Sequence, residues 1–428
     1  MKKTELLNLL FDSFDHSVND VIHSSVPFTK EMKDILKAKS VDKLNRIRQN
    51  GPAYLIYPSN VHTRLNHSIG VYAIGRKIIL TLLSKNESLP FSKEGVMSFF
   101  IACLLHDIGH FPYAHSLKEL SVREHEEIAE DIILHDSELY EKIKKAKGVP
   151  EYVALIINKE RKCAIEEIEI YRNILSGTLD PDKLDYLSRD AYFSGVPYGM
   201  QHTEFILKSL DLRNGRLVLD EDALISVEQI LFSKYMMYRT VYWHKGVRCA
   251  TSMIKKALVT ALEDNKISYD DLYFKDDYEF ASFARKKRIE IDAFSLIEMV
   301  ESGQLFEKKA EIPLSDLNML LKKALSIRTR AVAEREIYNH IKAKYPALKD
   351  YEVIIDIPEP INFESHIEIL RHDGSVSPVR DEETIFTENV GSEFSKRLRK
   401  LSVFAPSYVK EADVIKALGE VDFGKAEL

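Results

Sequence analysis

Apolar positions recur at helical spacing along most of the chain and predict a succession of helices. Residues 1–60 read as short helices broken at Pro27 and at Gly51-Pro52. A clear helix is predicted over 65–84, where Ile69, Ala73, Ile79 and Leu82 carry its apolar positions. The next, over 92–108, is nearly all apolar in its second half, which makes it central, and Gly109 is its predicted terminator. Further helices are predicted over 122–134 and 152–157. Asp180-Pro181 then supplies an N-cap and a first-turn proline for a helix reaching residue 193.

The period changes at Leu212 to Leu219, where Asn214-Gly215 separates two short apolar runs in the pattern of a β-hairpin. Long helices are predicted over 222–263 and 314–344. Beyond Pro346, the β-branched run 351–357 predicts a strand, polar irregular segments follow, and 409–418 predicts a last helix. A boundary near 346 divides a mainly α unit (1–345), which includes the small hairpin, from a smaller α+β C-terminal unit (346–428).

Composition supports this picture. The 428 residues are 45% hydrophobic and 30% charged, which suffices for a sizeable core and excludes disorder, and only 16 Gly and 14 Pro favour helix over turn-rich β-structure. The net charge of −7 provides no overall footprint for nucleic acid or an anionic membrane. A local patch would be needed. Residues 322–344 and 395–400 are basic, but such runs are read first as solvated helix faces or subunit contacts, and a nucleic-acid role is not favoured. Cys103, Cys163 and Cys249 form no CxxC pair, so neither a disulfide framework nor a thiolate zinc site is expected, and a cytoplasmic setting fits. The apolar run 99–105 is far shorter than the ~20 residues that span a bilayer, so no membrane segment is expected.

Six of the 14 histidines fall between His62 and His125. In His106-Asp107-Ile108-Gly109-His110, an imidazole and a carboxylate stand side by side at the end of the apolar helix. Such a pair can grip one divalent ion, and His67 and Asp182 are the natural candidates to complete a mixed N/O set open to water. Alone, the dipeptide would read as a histidine meeting a helix dipole. The helix after Asp180 places Asp182, Tyr186 and Arg189 on one face, with Lys183, Tyr186 and Asp190 on a neighbouring one. That strip suits a metal carboxylate, a cation for phosphate and a polar grip for a sugar; a solvated face with intrahelical ion pairs is the plainer reading. Tyr238 to Arg248 mixes aromatics with cations, as a pocket for a base and phosphates would, and core aromatics with snorkelling cations explain it equally well.

Together with Arg46-Ile47-Arg48-Gln49, Tyr57-Pro58, the run from His62 to Gly70, the run from Leu105 to His115 and Tyr242-Trp243-His244-Lys245, these residues resemble the HD-domain deoxynucleoside triphosphate triphosphohydrolases. The branch is that of the sterile-alpha-motif HD-domain enzyme and its bacterial relatives, and the likeness runs from about residue 20 to 256. It implies an HD-type helical catalytic core in which His67, His106, Asp107 and Asp182 hold one divalent metal, with Mn, Fe, Mg and Zn left open. Arg64, Lys183 and Tyr186 would contact the triphosphate or its sugar, Gln49 and Asp190 the sugar 3′-hydroxyl, and Tyr242 the underside of the sugar. His110, His115, His125 and Glu126 would line the reacting centre. The implied reaction is hydrolysis of a dNTP to deoxynucleoside and inorganic triphosphate, by a homo-oligomer.

Two departures qualify the resemblance. Asn50 stands where the family usually has Leu beside the sugar, and Lys37, Asp42 and Asn45 replace the Asp, Gln and Arg that bind an activating nucleotide in regulated relatives. An altered or absent activator site is therefore expected. The alternatives are hydrolysis of another nucleotide or phosphodiester, and a nucleotide- or nucleic-acid-binding module without turnover.

Overall fold

Thr63 starts the helix that organises the fold: its hydroxyl accepts from the Asn66 N–H, and the Asn66 side chain accepts in return from the Thr63 N–H. The His67 helix then runs Arg64–Lys85. The computed structural model describes residues 3–117, 119–120, 122–317, 324–361, 367–379 and 388–421. Against the His67 helix pack the apolar helix Lys93–Leu105 and the Asp182 helix Pro181–Ser194. Every residue from Gly95 to Leu105 is buried, as its uninterrupted apolar run requires. Asp180 caps the Asp182 helix through the Lys183 N–H, and Gly195, in the left-handed region, ends it.

The apolar helix stops at Leu105, short of the predicted 108. His106 is its cap residue, and the turn beyond it is tightened by Ile108 N–H to Leu105 O and His110 N–H to Asp107 O bonds. Gly109 serves close approach more than termination. A Cβ there would lie 1.9 Å from the His125 carbonyl oxygen, so glycine lets the next helix, His125–His135, pack onto the histidine-bearing turn.

Several elements differ from the sequence expectation. The N-terminal region contains a hairpin, His16–Asp20 with Ser24–Phe28, where only helices were expected; Asp20 accepts from the Ile22 and His23 N–H groups and so folds the turn. The long helix predicted over 222–263 is two, Leu224–Met237 and Lys245–Glu263, separated by a π-helical turn, Tyr238–Tyr242. His244 begins the second by accepting from the Gly246 N–H. The helix predicted from 314 begins later, as Ile327–Ile341, and is preceded by the unpredicted strand Glu307–Pro313.

The predicted hairpin forms from Leu210–Arg213 and Arg216–Asp220, with Asn214 and Gly215 both at positive φ. Strand Glu368–Leu370 joins it in parallel and Val376–Pro378 completes four strands. A second sheet has Lys400–Ala405 between Glu307–Pro313 and Ile354–Asp356. Helices Ile327–Ile341 and Glu411–Gly419 cover it and build a smaller hydrophobic core around Ala333, Ile337, Val403 and Val414, apart from the main helical core. Several cations of the two basic runs are paired within the chain: Arg330 with Glu119, Lys344 with Asp413, Lys396 and Arg397 with Glu393, and Lys400 with Glu311. Lys322 and Lys323 lie outside the described residues. No helix among the described residues is long and apolar enough to cross a membrane.

Candidate active site

A cavity of about 550 Å³ opens between the His67 helix, the Asp182 helix and the π-helical turn. At its inner end, the three helices that make the centre of the fold deliver four candidate ligands to one point. Donor atoms of His67, His106 and Asp107 lie within 4.8 Å of one another. Asp182 Oδ1 stands 2.9 Å from His67 Nε2 and 4.0 Å from His106 Nε2.

The tautomers suit a cation. His106 Nδ1 is 2.9 Å from the Cys103 carbonyl, which can only accept, so the proton resides on Nδ1 and the Nε2 lone pair faces the other three groups. That Nε2 is buried and has no hydrogen-bond partner. Two imidazoles and two carboxylates converging around such an atom fit a hard-to-borderline divalent ion. Burial opposes charge on His67, but its bonds to Asp182 and Asp185 outweigh that and raise its pKa to about 10, so the site holds a proton that a cation would displace. Burial likewise opposes ionisation of Asp107, yet His106, His110 and Arg64 hold its carboxyl well below the usual range.

Behind His67 lies a network of Asp185, His23 and Asp20, which sequence reasoning does not assign to the site, joined by Arg189, which it places on the strip with Asp182 and Tyr186. Asp185 Oδ2 is 2.9 Å from His67 Nδ1, and Asp185 Oδ1 is 2.7 Å from His23 Nε2. Arg189 donates to both Asp185 oxygens and to both Asp20 oxygens, at 2.8 to 3.1 Å. Asp185 and Arg189 are wholly buried, so this charged helix face is interior. Gly70 makes room for it, since a Cβ there would lie 1.9 Å from Asp185 Oδ1. The only local signal was the i, i+4 spacing of Asp185 and Arg189.

Arg64 donates to Asp107 Oδ2 at 2.6 Å, leaving Oδ1 toward His106 at 3.4 Å. His110 Nδ1 is 3.8 Å from the same Oδ1, and its ring meets that of His125 edge-on with centroids 4.1 Å apart. Glu126 Oε2 is 3.0 Å from His125 Nδ1. His115 lies in the 3-10 turn Ala114–Leu117, and its side chain is outside the described residues. Lys43, another residue with no signature in the sequence, sends its buried ammonium to the Ile108 and His110 carbonyls at 3.2 and 3.3 Å and so braces the turn.

Gln49, Tyr186, Asp190 and Tyr242 also line the cavity. The Tyr242 hydroxyl donates to Asp190 Oδ2 at 2.6 Å, and His62 Nε2 holds the other Asp190 oxygen at 2.7 Å. Gln49 Oε1 is buried without a hydrogen-bond partner. Burial raises the Tyr186 and Tyr242 pKa values well above ordinary, so both are neutral hydroxyl donors. Lys183 is set apart from this group: its ammonium goes to Asp180 and to the Gly177 carbonyl, and it does not line the cavity. The π-helical turn carries Tyr238 and Tyr242, and with Trp243, which caps it, they line the cavity wall.

The pattern of the HD domain matches residues 64–190, the span that carries all four candidate ligands, and that of the HD associated region matches 202–421. The chain belongs to the HD-domain family. Among curated relatives of this HD-domain chain is "Uncharacterized protein YwfO" of Bacillus subtilis, 34% identical over 226 residues, which are 53% of this chain and 51% of that one. "Uncharacterized protein MJ1154" of Methanocaldococcus jannaschii is 27% identical over 91% of this chain and 79% of its own. The deoxynucleoside triphosphate triphosphohydrolase SAMHD1 of Bos taurus is 24% identical over 61% of this chain and 50% of its own. The chain thus spans about half the length of the Bacillus and bovine relatives. A crystal structure of a phosphohydrolase from Bacteroides thetaiotaomicron shares the fold, with a TM-score of 0.72 and 21% identity over 91% of this chain and 99% of that one. So does a protein from Aquifex aeolicus, with a TM-score of 0.70 and 23% identity over 95% and 100%.

Proposed function

We propose that this HD-domain protein hydrolyses deoxynucleoside triphosphates to deoxynucleoside and inorganic triphosphate, with one divalent metal held by His67, His106, Asp107 and Asp182. The observation that carries the reading is the unpartnered His106 Nε2 facing His67, Asp107 and Asp182 at the floor of a nucleotide-sized cavity. Likeness to the SAMHD1 triphosphohydrolases supports the substrate class. When bound, the metal supplies Lewis-acid polarisation of a phosphoryl oxygen and activates water.

The chain's own groups supply the rest. Asp185 orients His67, and Arg64 orients Asp107 while presenting a guanidinium for phosphate. Water oxygen attacks the α-phosphorus, the bond to the 5′-oxygen breaks, and the departing oxygen takes a proton from an imidazole of the His110–His125 pair. Glu126 Oε2, 3.0 Å from His125 Nδ1, fixes the orientation of that ring. Gln49, Asp190 and Tyr242 grip the sugar, with Tyr186 beside them. Assembly into a homo-oligomer accompanies this reading.

A product assay tests it. The protein is supplied with each dNTP and NTP separately in Mg or Mn, resolving nucleoside, nucleotides and inorganic phosphates. Deoxynucleoside plus triphosphate is expected; orthophosphate, pyrophosphate or a nucleoside monophosphate as product would overturn the reaction.

A further inference from the structure

Segment 111–124 joins the two halves of the reacting centre, since it leaves His110 and returns at His125. Among its described residues the one regular element is the short turn Ala114–Leu117, and Leu120 N–H to Leu117 O and Val122 N–H to Leu120 O add little more. Such a segment depends on tertiary anchors for its position. At its ends it has them: Phe111 packs on Tyr273, and the Arg123 N–H donates to the Tyr273 hydroxyl at 2.9 Å. In its middle, Leu117 is buried in the main core, and among the described residues one side chain ties it to the smaller core.

That side chain is Glu119, which borders the cavity. Arg330 donates to its two oxygens in bidentate fashion, at 3.0 and 3.1 Å, and Lys255 of helix Lys245–Glu263 donates to one of them. Arg330 is buried and is itself held by the Ala324 and Leu325 carbonyls at 3.1 and 3.3 Å. It belongs to helix Ile327–Ile341, which builds the smaller hydrophobic core. The next residue after Lys255, Lys256, reaches Glu334 of the same helix, and Glu334 in turn accepts from the Ile355 N–H at 2.8 Å. Glu119 is therefore the point where this ionic junction touches the catalytic segment.

We propose that Glu119 is a positioning residue that registers the segment between His110 and His125 against the smaller core, so that the C-terminal part of the chain sets the geometry of the reacting centre. A bidentate guanidinium in a buried setting confers direction as well as attraction, and neither the main core nor the metal site supplies that constraint at position 119. The turnover arm of the test rests on the triphosphohydrolase reading; the exchange arm does not.

The experiment uses the full chain loaded with Mn, as Glu119→Ala, Arg330→Met, their double variant and Arg330→Lys, with metal content, dNTP kinetics and hydrogen exchange measured for each. Misplacing catalytic groups by about 1 Å costs on the order of 10²-fold. A kcat loss of that size is expected in both single variants, with KM little changed because the sugar-gripping residues lie elsewhere. The double variant is expected to be no worse than either single one, and Arg330→Lys to recover part of the loss. Exchange should accelerate across 111–124 at unchanged metal content. Wild-type kcat in Glu119→Ala, strictly additive losses, or unaltered exchange across 111–124 would overturn the proposal. Should the wild-type chain turn over no dNTP, the substrate reading fails, and the exchange of 111–124 still decides the role of Glu119.

Discussion

Asp185 and His67 meet at 2.9 Å between Oδ2 and Nδ1, and this contact decides that Nε2 is the imidazole nitrogen presented to the other candidate ligands. A buried carboxylate on the far nitrogen fixes ring orientation and raises ligand basicity. Asp185→Asn keeps the shape and removes the charge. Divalent-metal affinity should fall by roughly 10–100-fold, as loss of such a partner does in metal sites. Mn titration calorimetry checks it; unchanged affinity would remove Asp185 from the site.

Asp107 joins two roles, candidate ligand and partner of Arg64. Asp107→Ala should abolish turnover while the circular dichroism stays that of a folded helical protein. Leaving the buried Arg64 without its carboxylate should lower stability by about 3 kcal/mol. Turnover near wild type in the product assay would sink the metal assignment.

Lys43 offers a pH test outside the ligand set. Burial is the largest influence on its ammonium and lowers the pKa to about 8 from 10.5. Between those values the unfolded chain binds the proton and the folded chain has released it, so stability rises with pH across that window. Below about 8 both states are protonated and the contribution is flat. Urea unfolding of wild type against Lys43→Met from pH 7 to 10 should show the difference moving in favour of wild type above pH 8. A pH-independent difference would mean that Lys43 is solvated.

Asn50 lines the cavity and its amide donates to Asn60 Oδ1 at 3.2 Å, a polar wall where the resembling enzymes present Leu. Asn50→Leu should sharpen the preference for dNTP over NTP, read as the ratio of kcat/KM values. One to two orders of magnitude in that ratio, roughly 1–3 kcal/mol, is what a small change in apolar crowding supplies. An unaltered ratio would place the sugar elsewhere in the cavity.

The parts of the candidate site that were legible in advance were those with local causes. An apolar helix interrupted by His106-Asp107 draws attention because a charge at a buried helix end needs a partner, and the Asp180-Pro181 cap announces the helix that brings Asp182. Asn214-Gly215 announced its hairpin for the same reason: two consecutive residues tolerate positive φ. What was not legible is equally physical. Lys183 shares a helix face with candidate phosphate ligands, and its ammonium is held by Asp180 and the Gly177 carbonyl. The polar Glu307–Pro313 lacks alternation because it is a sheet edge.

By itself the sequence determined the helical class and the main caps, and it offered the candidate metal ligands, because each depends on neighbours within about one helical turn or on the chemistry of the residue alone. Tertiary structure alone decided that Asp185 and Arg189 face inward to Asp20 and His23, that strand Glu368–Leu370 extends the hairpin sheet in parallel, and that Glu119 meets Arg330. Those pairings link residues 150 or more positions apart. A buried charge takes whichever opposite charge the packing brings within reach, and no periodicity along the chain records that choice.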